Sequence, residues 1–472
     1  MRIRLYRPLV LASYFATQHK YQGKLEIMRT ISDRFLFLFI AFTILGTVKV
    51  YIGANINWLI TFTLLGIAVF FSLQDTTLRQ RIMALPALIK PYAPMMLGWL
   101  LFIAGIAIAA TMNGGVGLYT IAKYLALLLV LLLLLLVGIT SNKLEYALTL
   151  AMAVAVICLL LFAIFRMNNA LVVLGDGRMG WWGAWPGVLW KAGAYVWPFA
   201  LWRCLKNTNW KTVSIVALSM LAMAVDGSRT SLIWLGLTWT ILIGCGIWFK
   251  LPGQGLRVHA TVMVMGVFIF TLFQPILLSW VDGRYDTIIA YKIEQIRSFS
   301  FSEQKNGPVV DSVLRRPAAF PPMTRNTMSE RVVNGNTTTR KAMLEAGWAQ
   351  SKLKFPWGGG FGSTTVDDNG SRTVIHMTYL QILGDEGIIA LAGYLLLLFY
   401  PLYRGLRYLT EKRDLIAERF DTMLAPISIL SLYALTGFLH PLSNEITEWA
   451  LILGAIATIV IYTTRSNVPS SN

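Results

Sequence analysis

The sequence is poor in charge, cysteine and histidine. Only 14% of its 472 residues are charged, about half the share usual in soluble domains. That shortage excludes a disordered chain and an ordinary soluble enzyme. The three cysteines, Cys158, Cys204 and Cys245, each lie in or beside an apolar run, so neither a disulfide framework nor a cysteine metal site is expected. The four histidines, His19, His259, His376 and His440, include no pair at H-x-x-x-H spacing, and no bound metal or other cofactor is expected. Acidic residues are scarce too, 23 against 41 Lys and Arg, for a net charge of +18. In a soluble protein that balance points to nucleic acid. Basic loops of a membrane protein produce it by themselves, and the reading taken is membrane lipids and no nucleic acid. No internal repeat is visible by inspection.

What the sequence does have is apolar residues, 56% of the chain, in long uninterrupted runs. A helix needs roughly 20 apolar residues to cross a bilayer. About twelve runs qualify, near 35–53, 57–74, 95–112, 117–139, 145–165, 186–202, 212–225, 229–249, 258–280, 387–403, 423–440 and 447–464. The sixth and seventh are the weakest. The expected fold is an all-α polytopic membrane protein of about 12 transmembrane helices.

Charge sets the expected orientation. With the N-terminus in the cytoplasm, that side holds Arg79, Arg81, Lys90, Lys143, Arg203, Lys206, Lys211, Lys250, Arg257, Arg404, Arg407, Lys412, Arg413, Arg419 and Arg465. The opposite short connections, Ala54 to Ile56 and Asn113 to Val116, are bare of charge. The alternation follows the positive-inside rule and places both termini in the cytoplasm. The stretch Pro8 to Ala16 is short for a leader and is followed by Lys20 and Lys24, which reads as a cytoplasmic tail. The organisation is then a tail over 1–34, nine helices over 35–280, a large outer loop over 281–386, three helices over 387–464, and a tail over 465–472. Between Val281 and Ile375 the loop is polar and carries thirteen basic residues, among them Arg284, Arg315, Arg316, Arg325 and Arg331. Loops this long are functional or disordered. The part from Arg340 to Leu353 has the spacing of a short amphipathic helix stopped by Pro356.

Four features on the outer side could carry chemistry. Asp226-Gly-Ser-Arg229 opens an apolar run, and its arginine is either a snorkelling interfacial residue or part of an anion site. Arg340 opens the loop helix; a guanidinium offers a planar fork suited to phosphate, yet in a basic loop it can simply be solvated. In Pro356-Trp-Gly-Gly-Gly-Phe-Gly362, Gly359 and Gly360 can aim backbone N–H groups at an anion or make a tight turn. His376 begins a helical segment with Tyr379, Leu380, Leu383 and Gly387 on its face and Glu386 nearby; it is a structural histidine or an acid–base group. Arg166 and Arg178 add charge to another outer connection. Trp181, Trp182 and Trp185 beside them read as an interfacial belt, or as a surface for a sugar or lipid tail. His440, Glu445 and Glu448 form a further outer polar group.

Taken in order, Arg340, Pro356-Trp-Gly-Gly-Gly-Phe-Gly362, His376-x-x-Tyr379-Leu380-Gln381 and Glu386-Gly387 resemble the O-antigen ligase and polymerase superfamily of bacterial envelope proteins. Ser228-Arg229 before an apolar run is a shorter second match. The ligase branch is recognised by His, then Asn, Ser or Gln, nine residues, and Gly-x-x-Gly. Here the spacing holds as His376, Met377, Gly387 and Ala390, with departures at Met377 and Ala390.

The resemblance implies a GT-C-like bacterial inner-membrane protein whose outer loop, with its short helices, faces the periplasm. It implies metal-independent, cofactor-free transfer of a glycan from undecaprenyl diphosphate to a hydroxyl of lipid A core. His376, Arg340 and Arg229 would be catalytic. Arg166, Arg178, Gly359, Gly360, Tyr379 and Glu386 would bind diphosphate or glycan. The polymerase alternative uses the same donor and two basic outer loops, the second from Arg166 to Pro186, with Gly177 eleven positions after Arg166. A transporter of anionic substrates would instead place charge near the bilayer midplane.

Overall fold

A computed structural model describes residues 26–465 apart from 74–77, 116, 168–169, 175–176, 250–254, 282–337, 369–370, 412–415 and 443–445. The described residues are overwhelmingly helical. Seven helical segments among them are long and apolar enough to cross a membrane: Ala54–Leu73, Gln80–Met112, Leu118–Val137, Ser141–Ile164, Arg229–Trp248, Arg257–Val281 and Thr378–Thr410. The protein is therefore all-α with transmembrane-helix character, and seven segments rather than about twelve meet that standard. The other runs also form helix, but shorter, broken or more polar. The first is helical over 26–44 and then tightens through a 3-10 turn, Gly46–Val48.

Helices are numbered in chain order: α1 (26–44), α2 (Ala54–Leu73), α3 (Leu78–Ile89), α4 (Ala93–Met112), α5 (Leu118–Val137), α6 (Ser141–Ile164), α7 (Leu189–Lys206), α8 (Trp210–Asp226), α9 (Arg229–Trp248), α10 (Gly255–Phe268), α11 (Gln274–Val281), α12 (Thr338–Lys354), α13 (Thr378–Thr410), α14 (Ile416–Thr436) and α15 (Ile446–Arg465). A π-helical stretch, Ile269–Phe273, joins α10 to α11. Two hairpins interrupt the helices: β1 (Leu171–Val173) with β2 (Met179–Trp181), and β3 (Thr365–Asp368) with β4 (Ser371–Val374). The chain forms two compact units, Met1–Ala151 with Thr337–Asn472, and Met152–Asn336.

In the first unit α4 and α13 pack most intimately, and small residues are the reason. A Cβ added at Gly105 would lie 2.5 Å from the Ala390 nitrogen, and one at Gly393 would lie 2.3 Å from the Phe102 nitrogen. Helices with small residues at the crossing bring their backbones into contact. Position 390 thus needs a small side chain, which alanine supplies. Beside the crossing Trp99, Phe102, Tyr124, Tyr394 and Trp449 form a buried cluster, with paired ring centroids from 4.8 to 6.5 Å apart.

In the second unit α7 and α8 pack closely at Gly193, where a Cβ would meet the Ser219 carbonyl at 2.5 Å. Indole N–H groups tie α7 to α9: Trp234 donates to the Ala194 carbonyl and Trp197 to the Thr238 hydroxyl, each at 2.9 Å. Buried Trp N–H groups need such partners.

Candidate functional site

The Gly-rich segment after α12 wraps the start of α13. Gly387 has φ +82 and leaves helical geometry, so α13 is two helices merged across a kink. The tenth apolar run, read from 387, begins at that kink. The peptide groups freed there are taken by the incoming loop. Ile388 N–H donates to the Pro356 carbonyl at 2.9 Å, Gly359 N–H to the Gly384 carbonyl at 2.9 Å, and Gly360 N–H to the Asp385 carbonyl at 2.8 Å. The approach tolerates no side chain: a Cβ at Gly387 would lie 2.4 Å from the Pro356 oxygen, and one at Gly358 2.4 Å from the Asp385 oxygen. Gly359 and Gly360 therefore hold the loop on α13, and their N–H groups are not available to a ligand in this arrangement.

The anion that the loop does grip belongs to the protein. Asp385 is 1% exposed. Its carboxylate accepts from Thr364 N–H at 2.6 Å, Gly362 N–H at 2.8 Å, and the Gln381 amide and Ser363 hydroxyl at 3.2 Å. Gln381, one turn earlier, accepts in turn from Leu442 N–H at 2.7 Å. Lys354 closes the loop from α12, donating to the Ser363 carbonyl at 2.8 Å and hydroxyl at 3.0 Å. Burial pushes its ammonium below the usual lysine range, and Asp385 opposes that shift. From α4, Asn113 donates to the Gly358 carbonyl at 3.2 Å.

Glu386 is the exception. It is 2% exposed, and among the described residues neither carboxylate oxygen has a hydrogen-bond partner. The hydroxyl of Tyr124 is also buried without a partner among the described residues. A buried polar group without partners destabilises a fold, so this corner holds unused bonding capacity. Tyr379 does not add to it. Its hydroxyl donates to the Ala434 carbonyl at 2.8 Å, and its ring packs on Phe438 at 4.7 Å between centroids.

His376 is exposed two residues before α13. It lines a small cavity with Met343, Leu344, Ile375, Met377, Phe438 and Leu439. The helix expected over Arg340 to Leu353 is α12. Its positions 340, 343, 344 and 347 recur at helical spacing and share a face. Met343 and Leu344 share the His376 cavity, and Gly347 abuts Ile375 and Leu380 so closely that a Cβ there would meet them at 2.7 and 3.0 Å. The backbone of Arg340 is one turn before Met343; its side chain is outside the described residues. The basic residues Arg284, Arg315, Arg316, Arg325 and Arg331 of the long loop, and Glu445, also fall outside them.

Arg166, Arg178 and Arg229 lie in the second unit. Arg178 is an internal counter-ion. It pairs with Asp226, which is fully buried, and its Nε also donates to the Asp226 carbonyl at 3.0 Å. The Asp226 carboxylate further accepts from Gly187 N–H at 2.8 Å and Trp190 N–H at 2.9 Å. It thereby satisfies an orphan amide in the first turn of α7. Gly177, at φ +81, lies between β1 and β2 just before Arg178. Arg166 stacks over Trp280, 4.3 Å to the ring centroid. Trp181 is buried and donates to the Ala155 carbonyl at 2.9 Å, whereas Trp182 is exposed. Arg229 is half-buried in the first turn of α9 behind its N-cap, Ser228. Among the described residues it has no ionic or hydrogen-bond partner.

Asp385 is not singled out by the sequence motifs, whereas Gln381 stands in the matched one. A signal was present: an acidic residue directly before Glu386-Gly387 with Gln one turn earlier. Among the described residues no three of His, Cys, Asp and Glu could hold a metal ion. No protein-family model and no curated protein matches this chain.

Proposed function

We propose that the protein is a metal-independent glycosyltransferase that joins a glycan carried on undecaprenyl diphosphate to a sugar hydroxyl of lipid A core. It does so at the periplasmic face of the bacterial inner membrane, as the O-antigen ligase of lipopolysaccharide biosynthesis. On this reading the chain has about twelve spans in a GT-C-like arrangement, with both termini in the cytoplasm.

The observation that carries the reading is the packing of α12 on the segment Ile375–Leu380. It puts the helical register of Arg340 beside the exposed His376, on a corner braced by the Gly358–Thr364 loop. An exposed imidazole can accept or orient the proton of an acceptor hydroxyl. Guanidinium groups neutralise a departing diphosphate. Arg340 fills that role in the first unit, and Arg229, with its open guanidinium in the second, is the other candidate. Glu386 is the further candidate for glycan binding because its carboxylate is unengaged. Tyr379, Gly359 and Gly360 position the corner, and Arg178 holds its own loop through Asp226. A polymerase would use the same donor; Arg178, a core residue of the basic loop it would need, is engaged internally.

The test is a gel of lipopolysaccharide from a deletion strain, beside extracted undecaprenyl-linked glycan. A ligase leaves bare core and long polymer on the carrier. A polymerase leaves core bearing a single repeat, and an unchanged ladder removes both. In complementation, His376→Ala is expected to abolish transfer with the protein still in the membrane. Arg340→Ala should lower transfer more than Arg340→Lys. Near-normal transfer by either alanine variant removes that residue from the site.

A further inference from the structure

A second built pocket lies in the first unit, far from His376. It is a cavity of about 570 Å³ enclosed by the ends of α1, α2, α3, α5, α6 and α15. The apolar segment Gln80–Met112 begins at this cavity with Arg81 and ends beside the Gly-rich loop, where Asn113 holds Gly358. The segment breaks at a 3-10 turn, Lys90–Tyr92, where Tyr92 bonds Thr463 next to the cavity residue Thr464. From there α4, 20 residues long at 1.5 Å each, spans roughly 30 Å, a bilayer's hydrocarbon thickness. The cavity and the His376 corner are thus at opposite ends of membrane-crossing helices.

The cavity lining combines cationic and apolar residues. Arg81 lines the cavity and is fixed in place. Its Nη1 donates to the Ser72 hydroxyl at 2.7 Å and to the Leu136 and Val137 carbonyls at 3.0 and 3.4 Å, capping the end of α5. Its Nε and Nη2 have no partner among the described residues. Those two nitrogens form the edge that binds a phosphate in bidentate fashion. Arg29, exposed on α1, lines the same cavity and has no partner among the described residues. Lys143 is neutralised by Asp33. Glu26, the other acidic lining residue, is exposed in the first described turn of α1. Thr464 also lines the cavity, and its hydroxyl is buried without a partner among the described residues. Phe71, Leu88, Leu135 and Ile461 make the apolar wall.

We propose that this cavity binds the headgroup of an anionic phospholipid: the phosphate on the Arg81 edge with Arg29, the glycerol end toward Thr464, and the acyl chains along the apolar wall. A basic pocket between helix ends at a membrane surface selects anionic headgroups. A free inorganic anion would use the guanidinium groups but leave the apolar wall unfilled, which favours a lipid.

The test uses the purified full chain in detergent. Native mass spectrometry with added phosphatidylglycerol or phosphatidylcholine reads bound lipid, and thermal unfolding with each lipid or with inorganic phosphate reads stabilisation. The expected result is several-fold greater retention of phosphatidylglycerol, with a rise in unfolding temperature that inorganic phosphate does not reproduce. Arg81→Ala should abolish the preference. Arg81 also caps α5, so the exposed Arg29→Glu is the deciding variant if Arg81→Ala fails to fold. It should lose most of the retained phosphatidylglycerol at unchanged lipid-free stability. Equal retention of the two lipids, or full retention by Arg29→Glu, overturns the proposal. So does inorganic phosphate matching phosphatidylglycerol in the unfolding assay. Transfer activity plays no part in the readout, so the outcome is independent of the proposed reaction.

Discussion

Two buried aspartates organise the two units, and they do so differently. Asp226 pairs with a guanidinium and also gathers one loop amide and one amide from the first turn of α7. Asp385 gathers loop amides, a hydroxyl and a side-chain amide, and among the described residues no cation bonds it directly. The first is a closed ion pair whose charge is cancelled where it lies. The second is a carboxylate held by neutral dipoles, with the unengaged carboxylate of Glu386 next in sequence. A closed pair fixes a loop and leaves nothing to react. A dipole-held carboxylate beside an orphaned one fixes a loop and leaves a polar group for a ligand. This contrast is why the first unit is the stronger candidate for chemistry.

The contrast can be broken from the Asp226 side, where the largest effect on stability is expected. Asp226→Ala leaves Arg178 without its counter-ion and the first turn of α7 without its cap; removing one partner of a buried pair costs about 3–5 kcal/mol. Thermal unfolding in detergent should show that loss. Adding Arg178→Met should recover part of it, because the stranded charge is then gone. Additive losses would mean that the two side chains do not act as a pair.

Gly387→Ala comes next. It places a Cβ against the Pro356 oxygen at a positive φ, and overpacking of this kind costs about 1–3 kcal/mol. Its signature is local: limited proteolysis should cut the Gly358–Thr364 segment faster than in the parent chain. A cleavage pattern unchanged there would sever the link between the kink and the loop.

Asp385→Ala strands the buried donors of Thr364 and Gln381 and the half-buried ones of Gly362 and Ser363. An orphaned buried donor costs about 1–3 kcal/mol, and Asp385→Asn, which keeps an acceptor oxygen, should lose less. Equal losses would show that the carboxylate's second oxygen is indispensable. The smallest effect on stability belongs to Glu386→Met, which removes a polar group with no hydrogen-bond partner among the described residues and keeps the side chain's length. Such a change is nearly neutral or stabilising. An unchanged or higher unfolding temperature together with reduced glycan transfer would mark Glu386 as kept for function at the expense of stability. A clear loss of stability would mean that the carboxylate is engaged.

Much of this was legible in the order of the residues. The tenth apolar run was readable from 387, and Gly387 is where α13 breaks. The helix opened by Arg340 was readable from its spacing and from the proline that ends it. Its partner surface was not, because helical periodicity reveals a face without saying what covers it. The hairpins were missed: Leu171–Val173 and Met179–Trp181 are three residues each, too short for alternation to register. The Trp181–Trp185 group read as an interfacial belt, yet Trp181 is core and Trp182 is exposed; composition cannot distinguish neighbours whose side chains take opposite sides.

The sequence by itself determined a helical, membrane-type chain, because apolar runs of about 20 residues leave the backbone no other way to satisfy its hydrogen bonds in lipid. It also determined that Arg340, the glycine-rich turn, His376 and Glu386 follow one another in order. Only the tertiary structure decided which charges are free. Arg178 and Asp226 are 48 residues apart and cancel one another. The loop amides of Gly359 and Gly360 are taken by carbonyls of α13. Arg81 keeps one guanidinium edge open because its other nitrogen caps a helix 55 residues away. Pairing depends on distance in space, and a linear sequence carries no distances.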